Sequence, residues 1–459
     1  MCYNFREVFY WNWMEIIMKS QRTLKTVFSV AALIICLVLS MFVISFVSRG
    51  EGNKIFSIPL VIVYAFGVFL LLHGINEKDD PTHPVAFGFI LLLIALTLFT
   101  RISLLPHQSD DYLEYLSIWL EDIRSLPGTQ SVSADIGNYN MPYFYFLWVL
   151  GNAAPQTSDL YVIKLFSIVF DYVLAYYIMK LVSLKYQSRN VLIMSYIVAL
   201  MIPSVILNGS MWGQCDCVFS AFALGALYYG LQKRSKLCWA FFAIAFSFKL
   251  QTVFLLPIAI VLIFTEHIRL KDIWMFFAMF VGLLVPAMIM GRSFLDCITI
   301  YWRQANTYSE LSMLAANLYA LLPAGTRSNI PVIAAAIFAA GTVVISFLLY
   351  LYLRKKRLTK EYLVQASFIF TVLIPYFLPL MHDRYFYLAD TMACVFAFYY
   401  PKKWYIPALV IIPSMLCHTA TLFENIVIPT WALSLAVLTG LCLLLSQFVK
   451  SLESDIHLN

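Results

Sequence analysis

Ile330-Pro-Val-Ile-Ala-Ala-Ala-Ile-Phe-Ala-Ala-Gly-Thr-Val-Val-Ile-Ser-Phe-Leu-Leu-Tyr-Leu-Tyr-Leu353 carries no charge at all and is followed at once by Arg354-Lys355-Lys356-Arg357. A helix rises about 1.5 Å per residue, so about 20 apolar residues cross a hydrocarbon core of about 30 Å. This run is long enough, and its basic end is the kind of charge that stays on the cytoplasmic side. Composition extends the reading to the whole chain: 62% of its 459 residues are hydrophobic and 12% are charged, with a mean hydropathy of +0.81. No soluble domain hides that much apolar surface.

Apolar runs recur from 26–47 to 430–449 and predict about 12–14 membrane helices, an all-α polytopic transmembrane bundle. The runs 237–249 and 252–264, on either side of Lys249, are too short for full spans. They predict broken helices around a cavity, since irregular backbone at membrane depth is tolerated only there. The first run is too long for a signal-peptide core and lacks a cleavage site, so it is expected to remain as an anchor, with Met14 or Met18 as alternative starts. Most of the nine cysteines lie inside apolar runs and should behave as small hydrophobes, not as a disulfide framework. The net charge of +6 collects in short loops and forms no separate basic patch, which argues against a nucleic-acid partner.

With a cytoplasmic N-terminus, the inner loops receive Lys180, Lys185, Lys233, Arg234, Lys236, Arg269, the block after Leu353, Lys402 and Lys403. The outer side receives the longest polar loop, from about 103 to 140, where Asp110, Asp111, Glu114, Glu121, Asp122 and Asp135 face a single Arg124. Tyr112, Leu116, Ile118 and Trp119 follow at helical spacing and predict a short amphipathic helix on the membrane surface.

The same topology brings four polar clusters to one membrane face: Asp110-Asp111, Trp212-Gly213-Gln214-Cys215-Asp216, Lys249-Leu250-Gln251 and His382-Asp383-Arg384-Tyr385. Charges at membrane depth are costly and tend to line functional cavities or pair with one another. Arg384 can fork onto phosphate oxygens, Lys249 supplies a point charge and His382 can donate or shuttle a proton. Each residue also has a plain structural alternative. The Asp pair can be a solvated loop, Lys249 can snorkel to the interface and Trp212 can belong to an aromatic belt. His382-Asp383-Arg384 can close two helices as an ion pair, and Asp171, alone in mid-helix, can order a helix contact. Cys215 and Cys217 lack a second ligand pair for zinc. Asn208-Gly209-Ser210 matches a glycosylation acceptor but reads as a helix end against the membrane.

Tryptophan-glycine-glutamine-x-aspartate at Trp212 to Asp216, Lys249-Leu250-Gln251 with Pro257 after it, and His382-Asp383-Arg384-Tyr385 together resemble the GT-C superfamily of membrane glycosyltransferases. The likeness is to the prokaryotic integral membrane proteins related to the GPI mannosyltransferases. It implies a GT-C-like core over 85–425, preceded by an extension with two spans over 1–84 and followed by a last span and tail over 426–459. It also implies transfer of a hexose, mannose above all, from a polyprenyl-phosphate donor to a glycan or glycolipid acceptor outside the membrane, with inversion.

On this resemblance Asp110 or Asp111 is the general base, with Asp110 preferred. Lys249, Gln251, His382, Arg384 and Tyr385 bind the donor phosphate, supported by Trp212, Gln214, Asp216 and Asp171. The family often carries an acid-x-acid pair. The adjacent acids here leave open whether Asp110 and Asp111 bind a divalent cation such as Mg or Mn. The lysine-rich inner loops suit a bacterial plasma membrane. The chemistry fits the residues, since a carboxylate can take the acceptor's proton and cations can stabilise the leaving phosphate. A transporter or flippase of lipid-linked sugars is the main rival, although no repeated halves are visible. A polysaccharide polymerase or ligase would be expected to place its basic groups in a late outer loop, and a non-catalytic scaffold leaves the convergence unexplained.

Overall fold

The computed structural model describes residues 54–74, 84–153, 155, 157–305 and 309–454. The first expected span, at 26–47, and the alternative starts lie outside these residues. The chain divides into two compact units, 1–103 and 104–459. In the first, helices α1 (Lys54–Gly74) and α2 (Pro84–Leu104) each bury apolar side chains, among them Leu60, Ile94 and Leu98. The Tyr64 hydroxyl donates to the Leu91 carbonyl across this pair at 3.3 Å.

The second unit is almost entirely helical. A π-turn (Tyr112–Leu116) runs into α3 (Ser117–Ser125), followed by α4 (Met141–Ala153), α5 (Asp159–Val182) and α6 (Arg189–Leu200). After a second π-turn (Leu207–Trp212) come α7 (Asp216–Leu231), α8 (Ser235–Phe248), α9 (Pro257–Phe264), α10 (Trp274–Ile289) and α11 (Phe294–Ala305). The last five are α12 (Ile330–Leu353), α13 (Lys360–Phe377), α14 (Tyr387–Tyr399), α15 (Tyr405–Leu422) and α16 (Thr430–Ser454). A two-residue parallel pair, β1 (Ser312–Met313) and β2 (Met381–His382), is the exception.

Five described stretches, or six if the bent pair Arg189–Leu200 and Pro203–Trp212 is one span, are long and apolar enough to cross a membrane alone. This is fewer than the 12–14 spans the sequence predicts. The reason is local: Pro203 bends one candidate by 53°, and polar motifs cut others into helices such as α7, α8 and α14. The helix α12 shows the membrane solvent most directly. Asn329 caps it by accepting from the Val332 amide, and only 11% of its apolar window is buried inside the protein. Phe338 and Leu353 project outward, each 77% exposed, as expected of side chains whose partner is lipid. The helix α5 is the opposite case, with 72% of its window buried, and it packs on α6 and α7 at the centre.

The amphipathic helix expected in the long acidic loop is present, with one correction. Leu116, Trp119, Leu120 and Ile123 form its buried stripe, whereas Ile118 is exposed. The buried four are spaced i, i+3, i+4 and i+7, the ordinary face of a helix, and Ile118 falls off that face. Arg124 pairs with Asp159, and Asp135 is held by Arg292 at 2.8 Å and Arg303 at 2.8 Å. The loop's missing cations therefore come from elements more than 150 positions away.

Candidate active site

Successive helices alternate in direction, so the ends of α6, α7, α8, α13 and α15 that carry polar motifs meet at one end of the bundle. The second π-turn delivers the first motif. Its last residue, Trp212, is followed by Gly213 at φ +85°, a left-handed conformation that glycine adopts without steric cost. Chain reversal there turns Gln214 inward and starts α7 at Asp216. Ser167 on α5 pins the turn by donating to the Gln214 carbonyl at 2.6 Å, and Ser109 does the same to the Trp212 carbonyl at 2.6 Å.

Around this turn the four clusters join. Gln214 donates to the Asp111 carboxylate, and its own amide oxygen accepts from the Tyr139 hydroxyl at 2.7 Å and from Lys249 at 3.1 Å. Lys249 also donates to Asp216 Oδ1 at 2.5 Å, and Asn208 donates to Asp216 Oδ2 at 2.7 Å. Arg384 Nη1 reaches the same Asp111 oxygen at 3.3 Å, while its Nε lies 3.9 Å from Asp216. The guanidinium stacks over Trp212 at 5.2 Å, and Lys249 lies 5.1 Å from the Tyr139 ring centre. Lys249 therefore does not snorkel, and Trp212, buried to 2% exposure, is no belt residue. Two carboxylates and two cations balance in charge, and the Arg384 Nε proton has no hydrogen-bond partner.

The Asp pair separates. Asp111 turns into the cluster and borders a cleft of ≈ 50 Å³ with Tyr115, Trp119, Asn138, Tyr139, Gln214 and Arg384. Asp110 is exposed. Among the described residues no three His, Cys, Asp or Glu side chains converge as a metal site, and Asp111 is already engaged by a guanidinium and an amide. The residues therefore do not form a ready nest for the divalent cation that the adjacent acids suggest.

The segment 380–384 is held from the other side. Leu380 donates to the Leu311 carbonyl and Asp383 to the Met313 carbonyl, each at 2.9 Å. The Asp383 carboxylate accepts from the Arg384 amide at 2.8 Å and from the Thr421 hydroxyl. His382 walls two further cavities. One, of ≈ 410 Å³, is rimmed by Glu310, Ser312, Thr326, Asp383, Thr421 and Thr430. The other, of ≈ 230 Å³, is largely apolar and lined by Leu250, Gln251, Phe254, Ile337 and Tyr385 among others. Burial, with Arg384 and Lys249 adding repulsion, lowers the His382 pKa to about 3. The imidazole is thus neutral, and of the three basic groups expected to offer charge only Lys249 and Arg384 carry it.

Asp171 stands apart from the cluster, buried on α5 beneath the π-turn, where a side chain at Gly209 would meet its carboxylate at 3.6 Å. Gln251 and Tyr385 belong to the neighbouring apolar cavity. Sequence reasoning passed over Tyr139, Asn208, Ser109, Ser167 and Thr421. Asn208 was visible only as part of a glycosylation pattern, yet it is fully buried and holds Asp216. Lys164 is the largest omission: it is buried on α5, and its amine donates to the carbonyls of Leu105 at 3.0 Å and His107 at 2.5 Å, fixing the approach to Asp111. No family model matches the chain, and no curated protein matches it in sequence.

Proposed function

We propose that this chain is an integral membrane glycosyltransferase of the GT-C kind. It moves a hexose, mannose in the first instance, from a polyprenyl-phosphate carrier to a glycan or glycolipid acceptor, with inversion, on the outer face of a bacterial plasma membrane. One observation supports the reading most. Asp111, Gln214, Asp216, Lys249 and Arg384, drawn from segments as far as 273 positions apart, form one hydrogen-bonded array beside a cleft at the bundle end.

Asp111 is the base in this reading, because it borders the cleft while Asp216 is buried under Lys249 and Asp110 faces away. The array is neutral until a phosphate arrives. Arg384, which lines the cleft and reaches Asp111 through Nη1, is the group positioned to take phosphate oxygens. Taking them releases Asp111, whose carboxylate then accepts the proton of the acceptor hydroxyl as that oxygen bonds to the anomeric carbon. The bond from that carbon to the phosphate oxygen breaks, and the charge left on the carrier phosphate rests on Arg384. The cleft has no room for a hexose, so binding requires the Asp111–Arg384 contact to part. The apolar cavity beside Gln251 and Tyr385 suits the first isoprene units of the carrier.

The test uses purified protein in lipid, radiolabelled polyprenyl-phosphate mannose or glucose, and a membrane or cell-wall acceptor extract. Transfer to the acceptor should be abolished in Asp111→Asn and retained in Asp110→Asn. Transfer that survives in Asp111→Asn removes the assigned base. Labelled carrier that crosses the bilayer with its sugar unchanged establishes the flippase instead.

A further inference from the structure

At the end of the bundle opposite the polar array, the turn between α7 and α8 and the turn between α9 and α10 flank an open cavity of ≈ 490 Å³. It is lined by Lys233, Arg234, Ser235, Lys236, Leu237, Glu266, His267 and Arg269. Four of these are permanent cations and one is an anion. Arg269 is satisfied by Asp272, at 3.0 and 3.4 Å. Among the described residues, Lys233, Arg234 and Lys236 have no carboxylate within the 4.0 Å of an ion pair. Positive-inside topology accounts for basic residues at a helix end, but not for three cations gathered on one turn at a cavity whose single carboxylate, Glu266, forms no ion pair with them among the described residues.

The site is built, not incidental. Ser235 accepts from the Arg269 amide at 3.0 Å, and the Trp239 indole donates to the Arg269 carbonyl at 3.2 Å, so the two turns are tied together. Directly along the bundle from the cavity, Leu237, Leu270, Trp274 and Phe277 are all exposed. Leu270, Trp274 and Phe277 share one helical face, and Lys236 lies over the Trp274 ring at 5.8 Å. A cationic bowl opening onto an apolar strip has the polarity of one kind of molecule, an anionic headgroup with hydrocarbon chains.

We propose that this cavity is a binding site for an anionic phospholipid, with the headgroup phosphate among Lys233, Arg234 and Lys236 and an acyl chain along Leu270, Trp274 and Phe277. The site is separate from the array and independent of the reaction assigned to it.

The test is native mass spectrometry of the full chain released from detergent, titrated with dioleoyl-phosphatidylglycerol, with dioleoyl-phosphatidylcholine and with inorganic phosphate. The wild type should retain phosphatidylglycerol in preference to phosphatidylcholine. Lys233→Gln/Arg234→Gln/Lys236→Gln should weaken that retention at least tenfold, in line with the attraction each basic residue exerts on anionic lipid. A control with the same charge change elsewhere, Lys355→Gln/Lys356→Gln/Arg357→Gln, should retain it, as should the charge-preserving Lys233→Arg/Lys236→Arg. Equal loss in the control overturns the proposal, since it shows a general charge effect. Equal retention of both lipids, or displacement of phosphatidylglycerol by inorganic phosphate at millimolar concentration, overturns it as well.

Discussion

Lys249 and Asp216 are 33 positions apart and form the most buried ion pair of the array, with side chains 7% and 4% exposed. Removing one partner of such a pair leaves a charge in a medium that cannot solvate it, at a cost of about 3–5 kcal/mol. Lys249→Met should therefore lower the melting temperature of the purified protein in detergent markedly. Lys249→Met/Asp216→Asn, which removes both charges, should recover much of that loss. Equal melting temperatures for the single and double variants would mean that Asp216 never depended on the lysine.

His382 and Asp383, outside the spanning helices, titrate in opposite senses. Burial lowers His382 from 6.5 to about 3, and burial raises Asp383 from 3.8 to about 6 against the pull of Arg384. As pH falls from 6.5 toward 3, the unfolded chain protonates the histidine and the folded chain does not, so the fold loses stability. For Asp383 the folded chain holds the proton between 3.8 and 6, so stability is lost as pH rises through that window. Between pH 3.8 and 6 the two effects oppose each other, so the histidine is read by removing it. His382→Gln should lose less melting temperature than the wild type between pH 6.5 and 4.5, and parallel curves would show that the imidazole is not held neutral.

The charged members of the array stand out in the sequence because charge in an apolar chain is expensive. Tyr139, Asn208, Ser109 and Ser167 do not, because a hydroxyl or amide near a helix end is ordinary until its partner is known. The separate fates of Asp110 and Asp111 are equally hidden, since they depend on the phase of the turn that follows.

That phase belongs to the elements. Two π-turns, Tyr112–Leu116 and Leu207–Trp212, flank the array, one after Asp111 and one before Gln214. Single-turn π segments are rare and concentrate at functional sites because they re-aim side chains without ending a helix. Hydrophobic spacing of 3.6 residues found the helix after Asp111 but misplaced Ile118, and nothing in the spacing marks a wider turn. The end of the second π-turn rests on Gly213. An added Cβ there meets nothing closer than 3.7 Å, so sterics with neighbours are mild, but φ +85° remains costly for any L side chain. Gly213→Ala should thus cost about 1–2 kcal/mol of stability while turning Gln214 away from Asp111 and Lys249. In the transfer assay it should lose at least tenfold in rate while remaining inserted and monodisperse. Full activity would mean that the turn tolerates another geometry.

At the scale of the molecule, the two ends of the bundle differ in the charge they carry. Helices α12 through α16 run back and forth, so the basic turns after Leu353 and Tyr399 fall at one end and His382, Arg384 and Thr421 at the other. Lys185 reaches Glu361 at 2.8 Å and the Tyr399 carbonyl at 3.0 Å, which ties three basic turns into a single layer at that end. Long apolar runs made this alternation legible in sequence, whereas the number of full spans was not, because helices such as α7 and α8 are buried by protein and need not match the bilayer's thickness. The proposed transfer from a lipid-linked sugar requires the array outside and the lysine-rich turns inside. Of the described cysteines only Cys442 is exposed, and Cys2 and Cys36 lie outside the described residues, so cysteines introduced as Asp110→Cys and Lys356→Cys in a Cys2→Ser/Cys36→Ser/Cys442→Ser background report on the two ends separately. A membrane-impermeant maleimide added to intact cells should label the first and spare the second until the membrane is opened. The reverse pattern would invert the bundle, put the array in the cytoplasm and overturn the proposed transfer on the outer face.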